Sequence, residues 1–94
     1  MDNIFEVVDK TGRKISLSKE RWKHITIEHP EISNYNDLIN VIENPDKVLE
    51  SDRDSKVRWY YSYNKKRKLY FKVSVKYLNG EGYVITAHYI SKIE

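Results

Sequence analysis

An α+β fold, with an N-terminal hairpin and two short helices packed on an antiparallel sheet of about four strands, follows from three observations on this chain. Helical signals are confined to the first half. Three segments of alternating character fill the second half, from Val57 to Ile90. The connections between those segments, Asn64 to Lys68 and Asn79 to Gly82, are short and polar, and the second is rich in residues that tolerate positive φ, so both read as hairpin turns. With 94 residues, 39% of them hydrophobic, the chain has material for one core and is read as a single domain over 1–94.

The elements follow in order. Asn3 to Val8 and Lys14 to Leu17 flank Asp9-Lys10-Thr11-Gly12-Arg13, which predicts the N-terminal hairpin. Ser18 is a good N-cap and Glu20 sits in the first turn, where the helix dipole favours an anion; a helix should run from about Lys19 to His29 and stop before Pro30. A second helix is expected from about Asn36 to Glu43, carrying Leu38, Ile39, Val41 and Ile42 and ended by Asn44-Pro45. Asp46 to Ser51 is a further candidate strand, followed by a polar loop from Asp52 to Lys56.

In the late sheet, Val57, Trp59, Tyr61 and Tyr63 alternate with Arg58, Tyr60 and Ser62. Leu69, Phe71, Val73, Val75 and Tyr77 alternate with Tyr70, Lys72, Ser74 and Lys76. The third segment sets Tyr83, Ile85, Ala87 and Tyr89 against Val84, Thr86, His88 and Ile90, less tidily. Matching the more apolar sets predicts one greasy side covered by the helices and one polar side that gathers Arg58, Lys72, Lys76, Thr86 and His88.

Charge is distributed unevenly. The net charge is +3, but residues 1–50 carry −3 and residues 51–94 carry +6. A positive sheet attracts polyanions through counterion release and long-range steering, which makes RNA or DNA the first expected partner. A neutralising acidic protein is the other partner that such a surface suits. Lys65-Lys66-Arg67-Lys68 reads most simply as a solvated hairpin tip. The chain has no Cys, which removes disulfides, thiolate nucleophiles and thiolate metal sites. No apolar run reaches the length of a membrane span, and the start Met-Asp-Asn-Ile-Phe-Glu lacks the order of a signal peptide, so a cytoplasmic protein without a membrane partner is expected.

Three histidines carry the candidate chemistry, at 24, 29 and 88. On a regular helix His24 and His29 point about 140° apart. That spacing suits neither a metal pair nor a zinc-protease signature, so no metal or other cofactor is expected. His29 would close its helix, where the carbonyl end of the dipole favours imidazolium; the plain alternative is a packed or capping residue.

The stretch Arg21-Trp22-Lys23-His24-Ile25, then His29-Pro30-Glu31, a short helix ending Glu43-Asn44-Pro45-Asp46, Arg58 on a strand and Ile85-Thr86-Ala87 on the last strand resembles phage-type members of the barnase/EndoU/colicin/RelE-like nuclease superfamily. The resemblance spans about residues 18 to 90 and rests on the order of short motifs. It implies a helix followed by a four-stranded sheet and metal-independent RNA cleavage, often in toxins or phage-encoded polyvalent proteins. The positions that match the family pattern are His24, His29, Arg58 and Thr86, with His88 two residues on and on the face of Thr86.

The residues suit that chemistry in kind. Cleaving RNA without a metal needs a base at the ribose 2′-OH, a cation facing the phosphorus and an acid at the leaving oxygen. Histidine titrates near neutrality and serves either proton role, worth typically ~10² to 10⁴ in rate. His88 is the first candidate, with His24 or His29 as the second; Arg58 offers a planar fork, Thr86 a hydroxyl, and Lys72 or Lys76 a backbone clamp. Tyr60 and Tyr70 are candidates to stack a splayed base. The helical histidines reach the polar side only if their helix end projects past the sheet edge. The alternative is a non-catalytic nucleic-acid-binding or protein-interaction module of the same fold.

Overall fold

The computed structural model describes residues 3–93, and in it local chemistry starts and stops the elements much as the sequence leads one to expect. The chain forms β1 (Asn3–Val8), β2 (Lys14–Ser18), α1 (Lys19–Glu28), α2 (Asn36–Glu43), β3 (Lys47–Glu50), β4 (Val57–Asn64), β5 (Leu69–Leu78) and β6 (Glu81–Ile90). Ser18 caps α1, its Oγ accepting from the Arg21 amide at 3.1 Å. The helix ends at Glu28, two residues before Pro30, with the amide of the capping His29 donating to the Ile25 carbonyl at 2.8 Å. The β1–β2 turn uses Gly12 at φ +87°, a conformation that disfavours a side chain.

The expected sheet of about four antiparallel strands is corrected. All six strands join one mixed sheet in the order β1-β2-β6-β5-β4-β3. The N-terminal hairpin is part of it because β2 lies parallel to β6, Ile15 opposite Gly82 and Ser16 opposite Tyr83. Gly82 permits this approach: a Cβ there would stand 2.9 Å from Ile15 Cγ1 and 3.0 Å from Tyr77 Cε1. At the other edge β3 pairs antiparallel with β4.

Both helices lie on one side. Ile25 of α1 and Leu38, Val41 and Ile42 of α2 bury against Ile15, Leu17, Phe71, Val73, Val75, Val84 and Ala87 of the sheet. Burial of this apolar surface is the main stabilising term of the fold. The amphipathic α2, with three buried residues, crosses the sheet centre, while α1 lies nearer β6 and β2.

The strand register corrects the expected polar side. β4 pairs with β5 so that Arg58 lies opposite Val75 and Tyr60 opposite Val73, which puts both residues on the helix-covered side. Trp59, Tyr61 and Tyr63 lie opposite Ser74, Lys72 and Tyr70, on the open side. The reason is the turn: with Asn64 paired to Leu69, even-numbered residues of β4 share a face with odd-numbered residues of β5. Lys72 opposite His88 and Ser74 opposite Thr86 stay together on the open side, as expected. The untidy alternation of β6 comes from a bulge: Thr86 pairs with Ser74 and Val84 with Val75, leaving Ile85 as the extra residue.

Candidate active site

On the open side, His88 is half-buried on β6 with Lys72 directly across on β5. The ring of His29, from the C-terminal cap of α1, stacks on His88 with centroids 5.5 Å apart and planes 23° apart. The end of α1 therefore does reach the histidine on the sheet. Two contacts hold the segment after α1. The Ile32 amide donates to the His29 carbonyl at 2.9 Å, closing a tight turn, and Arg67 Nη2 donates to the Glu31 carbonyl at 3.4 Å. Arg67 also covers the Tyr89 ring, 4.6 Å from its centroid, so this member of the basic hairpin tip is docked rather than only solvated.

Electrostatics differentiate the pair. Burial, with the positive charges of Lys72 and His29, pushes the His88 imidazole below its ordinary value, and the Glu31 carboxylate pulls weakly the other way. His88 is thereby kept as a neutral imidazole near neutrality, the form that accepts a proton. Glu31 Oε2 stands 3.8 Å from His29 Nδ1, within ion-pair reach of the second imidazole.

Cations and aromatic rings extend the surface. Lys72 Nζ lies 4.1 Å from the centroid of Trp59 and 5.8 Å from that of Tyr61, and the depression beside them is lined by Asp52 and Arg53. Tyr70 is on this side and packs edge-on against Tyr63, centroids 5.1 Å apart. Thr86 shares the face one pairing step from His88. Lys76 is tied to Asp54 by a 3.3 Å ion pair, so Lys72 is the better placed of the two expected clamps.

Three sequence expectations do not converge on this site. Arg58 is on the covered side, where its guanidinium lies 5.3 Å from the Tyr77 ring centroid. Tyr60, only 2% exposed, points the same way and donates to Asp9 Oδ2 at 2.6 Å, so it stacks no base. His24 is exposed on α1 while His29 alone meets His88. Conversely, Glu31 and Trp59 join the site without having been singled out for it. Trp59 was legible as a half-polar aromatic, but only the hairpin register reveals its side.

Among the described residues no three His, Asp or Glu side chains converge as a metal-ligand set, and no helix is long and apolar enough to cross a membrane. Comparison with protein-family models, curated proteins and solved structures finds no match for the chain.

Proposed function

We propose that the chain is a metal-independent ribonuclease that cleaves RNA by transesterification, with His88 and His29 as its acid/base pair. The observation that carries the reading is the stacked imidazole pair beside Lys72. His88, held neutral, takes the proton of the ribose 2′-OH as that oxygen attacks the adjacent phosphorus. His29, with a carboxylate at its Nδ1, gives a proton to the departing 5′ oxygen, so one proton is removed and one supplied and a 2′,3′-cyclic phosphate remains. Lys72 faces the negative charge of the pentavalent phosphorus and Thr86 offers a hydroxyl to it. Trp59 and Tyr70 take the base-stacking role first assigned to Tyr60 and Tyr70, and Arg58 has no part in this site.

The test is incubation with labelled RNA in the presence of a chelator. Cleavage leaving 2′,3′-cyclic phosphate ends is expected, falling about 10²-fold or more in His88→Ala and in His29→Ala and persisting in His24→Ala. Absence of cyclic ends in the wild-type chain, or loss in His24→Ala equal to that in His88→Ala, overturns the assignment.

A second reading is nucleic-acid binding without cleavage. It is favoured by Lys72 laid over the partly exposed Trp59 ring, a cation–aromatic pair that suits single-stranded RNA whether or not a proton is transferred. Steeply salt-dependent binding without product distinguishes it.

A further inference from the structure

The covered side of the sheet holds a second polar cluster that the histidine chemistry does not use. Where the β1–β2 turn meets β4 and β5, the guanidiniums of Arg13 and Arg58 lie over the same Tyr77 ring, 4.7 and 5.3 Å from its centroid. Both arginines are only partly exposed. Two like charges have been brought against one aromatic ring, whose quadrupole offsets only part of their repulsion.

Their missing counterion is the informative feature. Among the described residues neither guanidinium makes an ion pair. Asp9 is nearby but committed elsewhere: its Oδ1 accepts from the Thr11 amide, the Thr11 hydroxyl and the Arg13 amide, and its Oδ2 from the Tyr60 hydroxyl. Glu50 faces Arg58 across the β3–β4 pair, yet it stays exposed and unpaired to it. Lys10 adds a further positive charge to the depression that Asp9, Thr11, Arg58 and Tyr60 line.

The ring beneath the guanidiniums is fixed. The single hydroxyl proton of Tyr60 goes to Asp9, so the Tyr77 hydroxyl donates to Tyr60 and cannot swing away. Two planar forks seated on an immobile ring have already lost much of the side-chain freedom that anion binding would otherwise cost. We propose that Arg13 and Arg58, seated on Tyr77, form a binding site for a phosphoryl group on the side of the sheet opposite the histidine pair. The site stands independently of the ribonuclease reading. Its ligand is a tetrahedral phosphate oxyanion, supplied either free or within a phosphodiester strand.

Arginine Nε–H resonances, followed by NMR during titration, test this directly. Inorganic phosphate and a diribonucleoside phosphodiester form the two arms, with chloride at matched ionic strength as the control. Saturable shifts of the Arg13 and Arg58 signals are expected, with affinity falling about tenfold in Arg13→Gln and in Arg58→Gln. Response in the first arm assigns a free phosphate, and in the second a backbone phosphate. Where the amide spectrum shows that a Gln variant has unfolded, the Lys variant replaces it, keeping the charge and losing the fork, and a severalfold weakening is expected. Shifts reproduced by chloride, no shift in either arm, or affinity unchanged by substitution at both positions overturns the proposal.

Discussion

On the covered side of the sheet, Asp9, Thr11, Tyr60 and Tyr77 are closed on one another, whereas on the open side the groups around His88 are left partly exposed. Asp9 and Tyr60, 6% and 2% exposed, form a chain of hydrogen bonds with Thr11 and Tyr77 that ties the first turn of the protein to β4 and β5. His88, Lys72 and His29 instead stack and pair while keeping solvent access. The difference separates roles. Groups that satisfy each other hold the fold, and groups that are gathered without being satisfied are available for a ligand.

Asp9→Asn should break the covered network most severely, costing up to about 3 kcal/mol in urea unfolding because Tyr60 faces an amide in place of a carboxylate. Burial by itself raises the Asp9 carboxyl, but hydrogen bonds from Thr11, Tyr60 and Arg13 outweigh it and hold the folded value below the ordinary one. Its stabilising contribution is therefore complete above the unfolded value of about 3.9 and is lost as pH falls through the folded value. Stability measured from pH 6 down to pH 2 should decline less in the Asn variant than in the wild type. An equal decline would remove Asp9 as the cause.

Gly82→Ala comes next, with an expected loss of about 1–2 kcal/mol. Its new Cβ would meet Ile15, Val75 and Tyr77 at 3.0 Å or less, and the β2–β6 pair has no flexible side-chain end to move aside. Denaturant midpoints should fall while the His88 ring signals remain where they were. Should the imidazole signals move with the midpoint, the two sides are not separable.

The smallest effect belongs to the open side. Lys72→Gln removes one of the charges that depress His88, so its imidazole midpoint should rise with little change in stability. Glu31→Gln should move it slightly the other way. Proton NMR of the ring against pH reads both, and an unmoved midpoint in Lys72→Gln would leave burial and His29 as the causes.

Much of this arrangement was legible in the chain. Ser18, Pro30 and Asn44-Pro45 mark helix ends by local chemistry, and the turn residues mark the hairpins, so element bounds followed directly. The sides of the strands were harder. The register of the β4–β5 hairpin depends on one residue in the turn, and miscounting it exchanges Arg58 and Tyr60 with Trp59 and Tyr61. Apolar content misled as well, because Trp59 and Tyr63 are large yet belong to the open side, while Tyr60 buries its ring and spends its hydroxyl on Asp9. The β2–β6 pairing and the meeting of His29 with His88 join distant segments, and no periodicity within either segment encodes them.

Placing β6 between β2 and β5 has a consequence for the order in which the molecule can be made. A growing chain that has emerged only as far as β5 has the β1–β2 hairpin and strands β3 to β5 but not the strand that joins them, and it lacks His88. Folding must wait for contacts between segments far apart in the chain, which slows it. The same delay means that a chain extended only as far as β5 has His29 without its stacking partner.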